Sequence, residues 1–140
     1  MIRSVTVLGA GTMGAQIAAH LANAGVPTLL LDLTPELARQ GLDRARALKP
    51  DPFFTPDAVT LVTTGGFDAG LPRIADADWI IEAVVEQLDV KRALLARVDA
   101  ARRPGDTMQL TAWRDGAPFE LTVEFPRDPV PATPGEQPPD

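Results

Sequence analysis

Residues 7–14 read Val-Leu-Gly-Ala-Gly-Thr-Met-Gly, and Asp32 closes the next apolar run. Three glycines at this spacing, between a strand-like and a helix-like segment, form a Gly-x-Gly-x-x-Gly turn. The chemistry such a turn suits is binding of a dinucleotide pyrophosphate. Gly9 permits the tight turn, Gly11 lets the backbone approach the phosphates, and Gly14 lets the helix lie against the strand. The free N–H groups and the positive end of the helix then face the anion. Asp32 is placed to accept hydrogen bonds from ribose hydroxyls on the adenine side. Its carboxylate would repel a 2′-phosphate, which favours NAD over NADP. The plain alternatives are a glycine turn that only tightens strand-to-helix packing, and a strand-end acid that caps the next turn.

A second constellation runs Ile80-Ile81-Glu82-Ala83-Val84-Val85-Glu86, followed by Lys91. It ends a strand at the carboxyl edge of a sheet, where ligands bind in open α/β folds. Lys91 falls in the first turn of a helix, where a cation opposes the dipole by roughly 0.3–1 kcal/mol. That placement favours a functional lysine, against a solvated one offset by Asp89. Glu86 reads either as a site residue or as an N-terminal helix acid, and Glu82 as a hydrogen-bonded structural acid. His20 is the sole histidine. With Gln16 and Asn23 it lies on the polar side of its helix, away from a Met13, Ile17, Leu21 stripe, and reads as a surface bystander rather than a general base.

The elements that must position these residues follow from periodicity and punctuation. Arg3–Leu8 is a β-branched strand. Thr12–Ala24 is a helix with an apolar stripe at Met13, Ile17 and Leu21 and a neighbouring small-residue stripe at Gly14, Ala18 and Ala22 suited to close packing on a sheet. Gly25 ends it. Val26–Asp32 is a strand whose continuous Leu29-Leu30-Leu31 run suits a sheet covered on both faces. Thr34-Pro35-Glu36 starts a helix that runs to about Leu48. Residues 49–57 form a loop, Ala58–Thr63 a third strand closed by Gly65-Gly66, and Trp79–Val85 a fourth with Trp79 in the core. A helix over Leu88–Ala101 places Val90, Leu94, Val98 and Ala101 on one face, with Arg102-Arg103 at its solvated end. Thr107–Trp113 and Phe119–Phe125 alternate as strands around Asp115-Gly116, a hairpin turn signal. Residues 126–140 hold six prolines and read as a disordered tail.

Composition narrows the classes. The 140 residues suit one domain with an appendage, and 45% apolar content suits a buried core. The net charge of −6 opposes nucleic-acid binding. The absence of cysteine excludes disulfides and thiolate metal sites. No apolar stretch nears the roughly 20 residues that span a bilayer, and the amino terminus lacks the pattern of a secretion signal. The expectation is a cytoplasmic protein without membrane or nucleic-acid partners.

Taken together, Gly-Ala-Gly-Thr-Met-Gly, Leu-Leu-Asp, Ala-Asp-Trp-Ile-Ile-Glu-Ala-Val-Val-Glu and the following lysine resemble the NAD-binding domain of the 3-hydroxyacyl-CoA dehydrogenase family over about residues 2–105. The resemblance implies that Met13 lies along the cofactor and that Asp32 binds the adenosine ribose. It implies that Val84, Val85, Glu86 and Lys91 line the nicotinamide side. Gly9, Gly11, Thr12, Gly14, Leu33 and Ala83 complete the expected cofactor-binding set, and no catalytic or metal-binding residue is assigned. In the family a histidine and a glutamate beyond this region act on the substrate, and a Ser-Asn-Thr-Ser segment follows the Pro-Gly. Asp106-Thr107-Met108-Gln109-Leu110-Thr111 stands there instead.

The reading is therefore an α/β, Rossmann-type doubly wound sheet, mostly parallel, with a C-terminal β-hairpin and a disordered tail. Its expected divisions are 1–105 (NAD-binding domain, truncated relative to the family), 106–125 (hairpin) and 126–140 (tail). The expected strand order is 3-2-1-4-5, with residues 107–112 as the fifth strand. Such a chain binds NAD, and would use an acyl-CoA substrate only if a catalytic domain were supplied. The alternative is a non-catalytic dinucleotide- or partner-binding module using the hairpin. Residues 105–123 also resemble the last strands of a PDZ domain, too short a match to imply peptide binding.

Overall fold

The computed structural model describes residues 1–101, 105, 107–114 and 117–124, the last two ranges by their backbone. By its contacts the chain divides into two compact units, Met1–Ala101 and Arg102–Asp140.

The first unit is a parallel sheet of β1 (Val5–Leu8), β2 (Thr28–Asp32), β3 (Val62–Gly66) and β4 (Trp79–Glu82), ordered β3-β2-β1-β4. Side chains of a strand alternate between faces. Val5, Val7 and Leu30 accordingly enter one core, with Ala15, Ala18, Ala38 and Leu42 from the helices α1 (Thr12–Asn23) and α2 (Pro35–Arg46). Leu8, Leu29 and Leu31 enter the opposite core, with Phe67, Ile74, Leu94 and Val98. Burial on both faces explains why the leucine run of β2 is continuous rather than alternating.

Local signals set most of the boundaries. Thr34 caps α2, its hydroxyl accepting the Leu37 N–H at 3.3 Å. Gly25 follows α1 with φ +78°, the left-handed conformation that ends a helix. α5 (Leu88–Ala101) has the expected bounds and buries Leu94 and Val98, while Val90 is exposed.

Four expectations are corrected. First, the segment read as strand 3 begins as a helix, α3 (Pro56–Val59), and β3 starts only at Val62. Thr55-Pro56-Asp57 is the same hydroxyl-proline-acid start as Thr34-Pro35-Glu36, and the Thr55 hydroxyl accepts the Ala58 N–H at 3.3 Å. Second, residues 67–76, left without an element, form α4 (Phe67–Gly70) and a 3-10 turn (Leu71–Asp76) that buries Leu71 and Ile74. The small-residue stripe of α1 packs on the sheet as expected, through Gly14, Ala15, Ala18, Ala19 and Ala22, while Met13 is 70% exposed. Small residues let the helix approach closely, so its larger side chains are pushed to the flank. Third, Trp79 is 48% exposed rather than in the core. It opens β4, one of the two outer strands of this sheet among the described residues.

The strands β5 (Thr107–Arg114) and β6 (Ala117–Glu124) pair antiparallel with each other, Thr107 opposite Glu124 and Arg114 opposite Ala117. Fourth, they form a separate two-stranded sheet, so residues 107–112 are not the fifth strand of the parallel one. The Asp115-Gly116 turn, Arg102-Arg103 and residues 126–140 lie outside the described residues.

Candidate functional site

Parallel pairing places the ends of three strands level. Leu8 lies opposite Leu31 of β2 and opposite Glu82 of β4. The chain leaving β1 therefore turns between Asp32 on one side and Ala83 on the other. Gly9 turns with φ +105°, and a Cβ there would meet the Ala83 carbonyl oxygen at 2.7 Å. At Gly14 a Cβ would lie 1.8 Å from the Gly9 carbonyl oxygen, so α1 can follow β1 this tightly only with glycine at that position. A Cβ at Gly11 would meet nothing within 4 Å, because that side of the turn is open.

The amino terminus of α1 is prepared for an anion. Gly11 at its N-cap provides no side-chain hydrogen bond, and the first turn holds no acid. By contrast, α2 is capped by Thr34 with Glu36 in its first turn, and α3 by Thr55 with Asp57. The first N–H groups of a helix have no intrahelical partner. In α2 and α3 a threonine hydroxyl answers one of them, whereas in α1 no side-chain cap does, and Thr12 and Met13 are exposed beside them.

Asp32 is half-buried, and both its oxygens are engaged by backbone. Oδ2 accepts the Ala10 N–H at 2.8 Å and Oδ1 accepts the Leu33 N–H at 2.7 Å. A carboxylate offers about four lone-pair sites, so capacity remains for ligand hydroxyls. Sequence reasoning missed the Ala10 contact, which ties the end of β2 to the glycine turn. Leu33 is 67% exposed directly after it, an apolar surface at the same edge.

On the other flank, the Ala83 N–H donates to the Leu8 carbonyl at 2.8 Å. Glu82 Oε1 accepts the Val84 N–H at 2.6 Å, and Oε2 accepts Lys91 Nζ at 2.5 Å. Lys91 Nζ also reaches Glu86 Oε1 at 3.0 Å. The hydrogen bond it donates to Glu82, then that to Glu86, holds the lysine ammonium above its ordinary pKa. Lys91 is thus paired with Glu82 and Glu86, and the reading of a solvated lysine offset by Asp89 is corrected. Glu82 is hydrogen-bonded, as its reading as a structural acid required. Glu86 precedes α5 and is exposed, as is Val85.

An apolar groove runs along the outer side of α1. Met13, Ile17 and Leu21 line it with Trp79 and Ile81 of β4, and His20 and Gln16 border it. His20 is exposed, as expected, but lies beside the Met13, Ile17, Leu21 stripe rather than away from it. Among the described residues no cluster of His, Cys, Asp or Glu is arranged to hold a metal ion. No helix there is long and apolar enough to cross a membrane.

Comparison with known proteins agrees with this geometry. The family described as "3-hydroxyacyl-CoA dehydrogenase, NAD binding domain" matches residues 4–111. A probable 3-hydroxyacyl-CoA dehydrogenase of Deinococcus radiodurans is 38% identical over 130 residues, covering 88% of this chain and 37% of that protein. One of Bacillus subtilis is 38% identical over 125 residues, covering 74% of this chain and 16% of that protein. Among solved structures, 3-hydroxybutyryl-CoA dehydrogenase from Escherichia coli superposes with a TM-score of 0.60 at 29% identity, covering 74% of this chain and 23% of that one. The chain thus spans little more than a third of the Deinococcus relative, and less of the Bacillus one.

Proposed function

The chain belongs to the 3-hydroxyacyl-CoA dehydrogenase family as its NAD-binding domain, and from that premise we propose how its own residues divide the cofactor. Gly9, Gly11, Thr12, Met13 and Gly14 hold the pyrophosphate at the open end of α1. Asp32 and Leu33 take the adenosine half. Ala83, Val84, Val85, Glu86 and Lys91 line the nicotinamide half. When bound, NAD supplies a hydride acceptor for oxidation of a secondary alcohol. Residues 1–105 carry the cofactor site, and the hairpin of β5 and β6 follows it.

One observation carries this reading: an uncapped, acid-free helix terminus lies directly between Asp32 and the Glu82–Lys91 pair. The residues fit the group, because the side of Gly11 that a pyrophosphate would approach is open. No group in this arrangement is placed to take a proton from an alcohol. Lys91 is already held charged between two carboxylates, and His20 borders the groove beside α1. The parent reaction is oxidation of 3-hydroxyacyl-CoA to 3-oxoacyl-CoA, and the part of it proposed for these residues is to hold the NAD. We place the protein in the cytoplasm, with no nucleic-acid or membrane partner.

Calorimetric titration of the folded 140-residue chain with NAD tests the first half, with saturable binding expected. A folded sample that fails to bind at millimolar NAD overturns it. Incubating the pure protein with NADH and acetoacetyl-CoA tests the second half. No loss of NADH absorbance is expected, and acetoacetyl-CoA-dependent oxidation overturns it.

A further inference from the structure

The acid that prepares the nicotinamide side of the site is Glu82, a residue outside the ligand-contacting set proposed above. Its carboxylate is one-quarter exposed and makes two bonds, one to backbone and one to a side chain. Oε1 holds the Val84 N–H at 2.6 Å, and Oε2 holds Lys91 Nζ at 2.5 Å. The first bond fixes the peptide that follows Ala83, whose carbonyl oxygen would stand 2.7 Å from a Cβ at Gly9. The second fixes the ammonium of a side chain with several rotatable bonds, which would otherwise cost entropy to order when a ligand arrives. Glu86 also meets the ammonium, but its own side chain is 90% exposed and so is the looser partner.

An ammonium has three N–H donors. Glu82 and Glu86 account for two, leaving one for a ligand oxygen. We infer that Glu82 is a positioning residue that presents this remaining Lys91 donor, together with the Ala83–Val84 peptide, to the nicotinamide-side half of a dinucleotide. The inference rests on the proposed NAD reading and extends it by assigning one half of the ligand to one acid. Asp32 and Glu82 end strands on opposite sides of β1, about 10 Å apart at the usual strand spacing. Loss of Glu82 therefore falls on one half of the ligand and spares the other.

Glu82→Gln keeps the shape and an acceptor for the Val84 N–H but removes the negative charge from Lys91. The test compares calorimetric affinities for NAD and for ADP, which lacks the nicotinamide-side half, in the wild-type chain, Glu82→Gln, Lys91→Gln and the double variant. Each protein is first shown to be folded by circular dichroism. The expected result is an NAD Kd raised about tenfold in Glu82→Gln, with ADP affinity unchanged. The double variant should be no weaker for NAD than Lys91→Gln alone, because Glu82 acts through Lys91. Unchanged NAD affinity in Glu82→Gln, or equal losses for NAD and ADP, overturns the inference. So does additivity in the double variant. If Glu82→Gln does not fold, Lys91→Gln decides: an NAD affinity equal to wild type removes the group through which Glu82 was to act. Failure of the wild-type chain to bind NAD would instead overturn the NAD reading itself.

Discussion

Asp32 Oδ2 accepts the Ala10 N–H from inside the glycine turn, so the carboxylate shapes the turn before any ligand meets it. The same economy recurs at Asp78, which lies just before β4. Its Oδ2 accepts the backbone N–H groups of Arg3 and Ser4, at 2.7 and 3.2 Å, and its Oδ1 accepts from the Arg3 guanidinium. These bonds, led by the Arg3 N–H, hold Asp78 below the ordinary carboxylate value of 3.8. Lys91 is shifted the other way, above 10.5. The two shifts bound a pH window from opposite ends. A carboxyl whose pKa is depressed by folding stabilises the fold above its ordinary value, and that contribution is lost as pH falls through the folded value. An ammonium whose pKa is raised stabilises below its ordinary value, and that contribution is lost as pH rises through the folded value. Thermal midpoints measured against pH should therefore show Asp78→Asn less stable than wild type at neutral pH and converging with it in acid. Lys91→Met should be less stable at neutral pH and converge only above about pH 10.5. Convergence of Lys91→Met near neutrality would contradict the pairing.

At the scale of elements, hydroxyl caps start the two helices between β2 and β3. Thr34 and Thr55 each precede Pro and an acid, and each accepts an N–H three residues on at 3.3 Å. Replacing such a cap by alanine costs typically about 1 kcal/mol. Thr55→Ala should lower the thermal midpoint by a few degrees, by a similar amount to Thr34→Ala, and an unchanged midpoint would mean that α3 does not depend on its cap. The pair also shows where the fold was legible in sequence. The rule that located α2 applies letter for letter to α3, yet the β-branched run through Val59, Thr60 and Val62 masked it. The crossover between β3 and β4 was harder, because a four-residue helix and a 3-10 turn are too short for a period to declare itself. On α1 two stripes lay side by side, one large and one small. The small one lies on the sheet, as its residue types suited, and Ile17 and Leu21 of the large one pack against the same core while partly exposed. In the site, spacing pointed to the glycines, Asp32 and Lys91. What pairs with Lys91, and the Ala10–Asp32 bond, depend on strand register, which periodicity does not encode.

For the whole molecule, the question is which part of the chain the site needs. Every residue assigned to the cofactor lies within Met1–Ala101, and both cores of the parallel sheet are drawn from that unit. The strands after it pair with each other in their own sheet. The first unit thus has its own double-sided core, which is what independent cooperative folding requires. Its weak point is β4: an outer strand with Trp79 exposed, bordering an apolar groove with Met13 and Ile17. Uncovered edges and apolar grooves promote association between chains rather than unfolding. Deleting residues 106–140 should therefore leave NAD affinity within about twofold of the full chain and leave thermal unfolding cooperative. Any cost should appear as concentration-dependent association in sedimentation velocity. If the shortened chain instead loses cooperative unfolding, residues beyond 105 contribute to the core of the cofactor domain, and the proposed division of the chain fails.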